Sequence, residues 1–171
     1  MELQGRKIYL LPITKADTAN IIKWRNNVRK NFIYQELFTS ESHNVWLENM
    51  VFTNKVKQFV IYGQEDNKSV GSVFLRDIDL GHDKAEYGIF IGDDSARGKG
   101  YGSEAAALIC DYGFQELKLH KIYLRVFSDN KIAIRSYEKA GFVKEAYLID
   151  DVKINSQYRD IVLMSKLHSR T

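Results

Sequence analysis

Cysteine and proline are nearly absent: Cys110 and Pro12 are the single examples of each in 171 residues. One thiol excludes an intrachain disulfide and any cysteine-built metal cluster. The four histidines, at 43, 82, 120 and 168, follow neither HxH nor HExxH spacing, so no metal site is expected. No apolar run approaches the roughly 18 residues that span a bilayer. The opening "MELQGRKIYLLPITKAD" lacks both the apolar length and the small-residue cleavage site of a signal peptide. Lys and Arg never run five together, and the net charge of +3 is too small to call for a nucleic-acid partner. A cytoplasmic chain follows, with no membrane or nucleic-acid partner and with Cys110 buried on a helix.

The chain is long enough to bury a sizeable core, and no linker, repeat or low-complexity tract divides it. One domain over residues 1–171 is expected. "KIYLLPI" reads as a strand stopped by Pro12. In "TKADTANIIKWRN", Thr14 and Asp17 resemble a capping box ahead of a helix. A second helix is expected from Ser40 in "SESHNVWLENMV". Between them "VRKNFIYQELFT" shows no period. The segments 57–63, 69–79 and 85–92 read as strands joined by short polar turns, an antiparallel meander. A helix of about four turns follows from "YGSEAAALICDYGFQEL". Then come a strand at 120–128, a helix "NKIAIRSYEKAG" ended by Gly141, and two closing strands turned by "INSQ". The order β-α-α-β-β-β-α-β-α-β-β makes an α+β domain with a mixed sheet.

The stretch "SARGKGYGSE" sets three glycines between a strand and a helix. It is not a phosphate loop of the GxxxxGK[ST] type, because Gly100 stands where the hydroxyl should follow Lys99. The spacing GxGxG, set off from the strand by "DDSAR", does not fit a dinucleotide fingerprint either. Asp129, the nearest imitation of its ribose acid, comes later than about 20 residues on. What remains is Arg-x-x-Gly-x-Gly opening a helix. There the glycines admit a diphosphate to the unpaired N–H groups of the first turn, and Arg97 and Lys99 add charge. A second constellation lies in "SDNKIAIRSYEKAGF": Asn130 opens a helix and Tyr137, nearly two turns on, shares its face. Taken alone, Asn130 reads as an N-cap and Tyr137 equally well as a core aromatic.

Together "ARGKGYGSEA" and "VFSDNKIAIRSYEKAGF" resemble, in order and spacing, the two acetyl-CoA motifs of the GNAT superfamily of N-acetyltransferases. The two ends of the chain resemble its RimJ/RimL-type branch. The resemblance implies a GNAT-like, mostly antiparallel splayed sheet of about seven strands flanked by helices. It also implies acetyl-CoA as co-substrate, held by Ile89, Phe90 and Ile91 along the splayed strand, by Arg97, Gly98, Lys99, Gly100, Tyr101 and Gly102 at the diphosphate, and by Asn130 and Tyr137. The reaction implied is direct acetyl transfer to a primary amine, on a small molecule or a peptide. "KWRNN" followed by "SHNVWLENM" is similar to acetyltransferases of nucleotide-linked amino sugars. "LHKIYLRV" and "INSQYRDIVLMSKL" are similar to spermidine acetyltransferases, and N-terminal alanine acetyltransferases belong to the same branch. The slightly basic chain counts mildly against a polycation, so the amino sugar is the first expectation and the polyamine or peptide the alternative. A non-catalytic acetyl-CoA-binding module is the remote one, and a homodimer is expected from the resemblance.

A phenol beside the sulfur suits protonation of the leaving thiolate, which makes Tyr137 the candidate acid. A strand N–H at Ile89 or Ile91 suits the thioester oxygen. Glu86 is the first candidate for the base, because a charge inside an apolar strand suggests a cleft; pairing with a neighbouring Lys or Arg on a solvated face is the equal alternative. Glu36 and His43 come second, His43 reading as a helix-surface residue. Trp24, Arg25, Asn26 and Glu36 are the candidates for the acceptor pocket.

Overall fold

The structure, a computed structural model, describes residues 1–169. Eight strands form one sheet in the order β1-β2-β3-β4-β5-β6-β8-β7. They are β1 (Leu3–Gln4), β2 (Ile8–Pro12), β3 (Lys57–Gly63), β4 (Ser69–Asp79), β5 (Lys84–Ile91), β6 (Lys121–Phe127), β7 (Val143–Ile154) and β8 (Gln157–Leu167). The helices are α1 (Thr18–Asn27), α2 (Ser40–Trp46), α3 (Tyr101–Gln115) and α4 (Lys131–Lys139). The expected meander, β3 to β5, is antiparallel at both pairs, and β2 joins its edge antiparallel to β3. The strand beyond the seven expected is β1, two residues paired with Tyr9 and Leu10 and too short to leave a period.

The β5–β6 pair is parallel, and it positions the site. Its rungs are Lys84–Lys121, Ala85–Ile122 and Glu86–Tyr123, and there they stop. Beyond Glu86, β5 keeps its pairing with β4 as far as Ile91, while β6 keeps its pairing with β8 as far as Phe127. The two strands therefore diverge and open a wedge in the middle of the sheet.

Alternation along β5 divides the core. Ala85 and Tyr87 join the larger cluster, where Ile109 and Cys110 of α3 meet Ile122, Leu124 and Met164. Phe90 points the other way, into a cluster with Ile21 and Trp24 of α1, Leu47 and Val60. Completely burying one such aliphatic side chain stabilises the fold by about 1.5–3 kcal/mol, and the two faces together seat helices on both sides of the wedge.

Local chemistry explains the ends. Asp17 accepts from the Thr14 N–H at 2.8 Å, closing the turn before α1. Thr39 caps α2 by accepting from the Ser42 N–H at 3.1 Å. The second helix then widens into a π-helical turn, Leu47–Val51, that its sequence pattern did not announce. The Asn155–Ser156 turn has positive φ at both residues, 49° and 64°, the geometry of a two-residue hairpin. Strand β7 passes through an irregularity between Leu148 and Val152 and ends at Ile154. Asp160 of β8 braces the irregularity by accepting from the Asp150 N–H at 2.8 Å.

Gly92 marks where α1 presses on the end of β5. A Cβ added there would lie 2.1 Å from the Trp24 Cβ and 2.5 Å from its Cα. Gly92→Ala is expected to destabilise the fold by about 1–3 kcal/mol through overpacking, which urea denaturation measures directly.

Candidate active site

The wedge opens into a cleft of about 710 Å³. One bank is β5 from Glu86 to Ile91, the other is β6 from Leu124 to Val126, and α4 contributes Asn130, Ala133, Ser136 and Tyr137. The aperiodic segment after α1 lines the acceptor side with Phe32, Ile33, Tyr34 and Phe38. This segment is not loose. The Asn26 amide donates to the Phe38 carbonyl at 3.0 Å and accepts from the Phe38 N–H at 2.7 Å.

Backbone direction on β5 follows from one bond. The Gly92 N–H donates to the Val70 carbonyl, on the β4 side, at 3.1 Å. Strand alternation then turns the N–H groups of Ile91 and Ile89 to the opposite edge, facing the wedge, where no rung to β6 exists. Phe90 faces β4 with its backbone and the α1 side with its ring, so it meets the cleft only through that ring.

The glycine loop leads into α3. Gly98 and Gly100 have φ of 75° and 82°, the left-handed region that side chains avoid. Gly100 is the N-cap of α3 and offers no side chain to the first turn, so N–H groups there stay free for an anion. Arg97 donates to the Ile91 carbonyl at 3.4 Å and pairs with Asp94 at 3.2 Å. Lys99 lies 5.8 Å from the Tyr101 ring centroid. The loop is braced from behind. The Lys7 ammonium donates to the Lys99 carbonyl at 3.0 Å, and the Glu104 carboxylate accepts from the backbone N–H groups of Arg6 and Lys7.

Tyr137 lies half-buried against the cleft, between the rings of Tyr87 (centroids 5.8 Å apart) and Phe142 (6.1 Å). Burial pushes its hydroxyl up to about 12, so it holds its proton at neutral pH. Asn130 caps α4 by accepting from the Ala133 N–H at 3.2 Å.

Glu86 is buried at the vertex of the wedge. One oxygen accepts from Arg125 of β6 at 3.0 Å, and Arg76 of β4 lies 3.2 Å from the same oxygen. Its other oxygen accepts from the Arg76 Nε at 3.3 Å. Burial works to raise its pKa, yet the Arg76 and Arg125 guanidiniums outweigh burial and hold the carboxyl below its ordinary range. The same pairing, against burial, raises Arg125.

Comparison with known proteins adds to this geometry. Residues 7–143 match the acetyltransferase (GNAT) domain family. The chain belongs to that family. It is 40% identical over 163 residues to the spermidine N(1)-acetyltransferase of Escherichia coli K12, covering 94% of this chain and 86% of the relative. It is 34% identical over 166 residues to the Vibrio cholerae enzyme of the same name, covering 96% and 95%. The crystal structure of spermidine N-acetyltransferase from Vibrio cholerae in complex with CoA and spermine superposes with a TM-score of 0.86 at 28% identity, covering 95% of this chain and 96% of that one. The protein is thus an N-acetyltransferase that takes its acyl group from acetyl-CoA. Its own residues fit that donor: two strand N–H groups face an unladdered edge, and a left-handed glycine loop opens a helix beside them.

The residues expected for the acceptor separate in this acetyltransferase. Arg25 lines the cleft. Trp24 is core, packed with Phe90, and Asn26 is spent on clasping Phe38. Glu36 is exposed on the segment outside the cleft lining. His43 is not the helix-surface residue expected: it is 1% exposed, with Nδ1 3.1 Å from the Thr18 hydroxyl, because α2 packs that face against α1. Arg76 and Arg125 were missed, although a signal existed: Arg125 stands inside the apolar stretch of its strand and Arg76 ends one, each opposite in sign to Glu86. Among the described residues no helix is long and apolar enough to cross a membrane.

Two outcomes follow. Gly100→Val forces a β-branched side chain to φ 82° and sets it against the Lys7 ammonium; acetyl-CoA affinity measured by calorimetry is expected to fall at least tenfold. Glu86→Gln leaves two arginines, 27% and 26% exposed, without their anion. That is expected to cost about 2 kcal/mol of stability at pH 7, less than for a completely buried pair because both guanidiniums reach solvent. Since the folded Glu86 pKa lies below its ordinary value of 4.5, its contribution is present above that value and is lost as pH falls through the lower, folded pKa. The acid limb of the stability curve should therefore be shallower in Glu86→Gln than in wild type.

Proposed function

We propose that this chain moves an acetyl group from acetyl-CoA directly to a primary amine of a polyamine-class acceptor such as spermidine. The observation that carries the acceptor is the end-to-end likeness to spermidine acetyltransferases. Nothing among the relatives supports the amino-sugar acceptor that the sequence resemblance put first.

Direct transfer is favoured because the single thiol cannot serve as a relay nucleophile. Cys110 is completely buried on α3, and burial pushes its thiol up to about 12. The co-substrate supplies an activated acyl carbon and a thiolate leaving group. Before attack the alkyl ammonium, near 10.4 in water, must lose a proton. Glu86 is a poor acceptor for that proton, since two arginines hold its pKa down. The reading gives the proton to cleft water and leaves Glu86 to set the local charge. As the C–N bond forms, the N–H of Ile89 or Ile91 donates to the carbonyl oxygen, and the nitrogen gives up its second proton to cleft water. As the C–S bond breaks, the Tyr137 hydroxyl gives its proton to the sulfur and recovers one from solvent.

Tyr137→Phe deletes the hydroxyl and keeps the ring between Tyr87 and Phe142. With spermidine as acceptor, kcat is expected to fall by roughly 10²–10⁴, with acetyl-CoA affinity nearly unchanged. Thiol release measures the first and calorimetry the second. An unchanged kcat would give the proton to water and reduce Tyr137 to packing; no turnover of any amine by wild type, with tight acetyl-CoA binding, would favour a binding module.

A further inference from the structure

A buried guanidinium nitrogen of a residue that lines the cleft has no partner, and acetyl transfer gives it no task. Arg25 is 7% exposed and lines the cleft. Its Nη2 donates to the Tyr34 carbonyl at 2.5 Å, but Nη1 has no hydrogen-bond partner. The side chain cannot easily turn to find one. Its guanidinium carbon lies 3.7 Å from the Phe32 ring centroid and 5.1 Å from that of Phe38. The carboxylate in the cleft lining is already engaged, since Glu86 accepts from Arg76 and Arg125 with both oxygens. Burial pulls Arg25 down to about 10, with Glu36 opposing and Arg76 adding to the fall, so it remains charged at neutral pH.

A buried donor left unmade costs about 1–3 kcal/mol, and more when charged. An orphan of this kind beside a binding cleft is a reason to look for its ligand. The ligand must accept from a planar, fixed, cationic N–H, which describes an oxygen anion better than any neutral group. Arg76 and Arg125 add positive potential to the same wall.

We infer that Arg25 Nη1 forms a subsite for an oxygen anion, a carboxylate or a phosphate ester, carried by the acceptor a few bonds from its reacting amine. The enzyme then has a further class of acceptor, amines bearing one anion, and holds them more tightly than a diamine of equal length. This rests on the acetyltransferase reading of the cleft but not on the polyamine class.

Four amines of one chain length test it: cadaverine, pentylamine, δ-aminovalerate and aminopentyl phosphate. Binding is measured by calorimetry with CoA saturating, so that the glycine loop is closed to the anion. Wild type is expected to bind δ-aminovalerate or aminopentyl phosphate at least about tenfold more tightly than cadaverine, a difference of about 1.4 kcal/mol, with pentylamine between. The tighter of the two anionic amines identifies carboxylate or phosphate as the group preferred. Arg25→Met keeps an apolar stem against Phe32 and should erase the preference. Should that variant fail to fold, Arg25→Lys keeps the charge without the fork and should lose most of it. Cadaverine binding as tightly as the anionic amines, or a preference that survives in a folded Arg25 variant, overturns the subsite. Thiol release with the tightest binder reports separately on acetyl transfer: binding through Arg25 without release leaves the subsite standing and removes the enzymatic reading.

Discussion

Everything distinctive about the cleft depends on a single carboxylate shared by two guanidiniums. Glu86 occupies the last rung of the β5–β6 ladder, and its partners come from the strands on either side. Backbone pairing ends there, and side-chain pairing marks the point of divergence. A wedge in a sheet exposes unpaired backbone on two strands, which would ordinarily close or recruit another strand. The ion triad fixes the angle at the vertex, the α1 face packs against Phe90 above it, and Tyr87 anchors the other face below. The free edge of β5 is held open for a ligand to fill.

This arrangement also shapes the electrostatics of the acceptor side. Four arginines, at 25, 76, 97 and 125, line the cleft with Glu86. Arg97 pairs with Asp94 beside the glycine loop, and Arg76 and Arg125 are neutralised in part by Glu86. Arg25 is different, because its nearest anion, Glu36, is solvated and makes no hydrogen bond to it. A polyamine entering such a cleft meets aromatic walls and is repelled by Arg25. The full-length likeness to spermidine acetyltransferases and the charge of this lining thus pull in different directions, and the position of a second charge on the acceptor decides between them.

The glycine loop and the capped helix proposed for the cofactor are legible in the sequence because they are made by local backbone. A left-handed glycine loop, a helix start and an asparagine cap each need particular residues at fixed spacing, and "ARGKGYGSEA" and "SDNKIAIRSYEKAGF" carry those spacings openly. The acceptor half is assembled by tertiary contact. The segment after α1 has no period because it is neither helix nor strand, and its place is set by Asn26 clasping Phe38 and by Arg25 holding Tyr34. Glu86 illustrates the limit well. Its strand position is readable, and a neighbouring cation is an expected alternative partner. That the partners are Arg76 and Arg125, from both adjacent strands, follows only from register. His43 was misjudged for a related reason, since one helix's pattern does not say which neighbour will cover it.

The brace behind the glycine loop has a thermodynamic consequence of its own. A loop that must organise itself around a diphosphate loses conformational freedom on binding, and that loss subtracts from affinity. Here Lys7 holds the Lys99 carbonyl, while Glu104, in the first turn of α3, holds the backbone of Arg6 and Lys7. The ordering cost is thereby met during folding rather than at the encounter. The two-residue strand at the amino terminus, slight as it is, ties that brace to the edge of the sheet, so fraying of the first few residues would reach the nucleotide end of the cleft before it reached the chemistry.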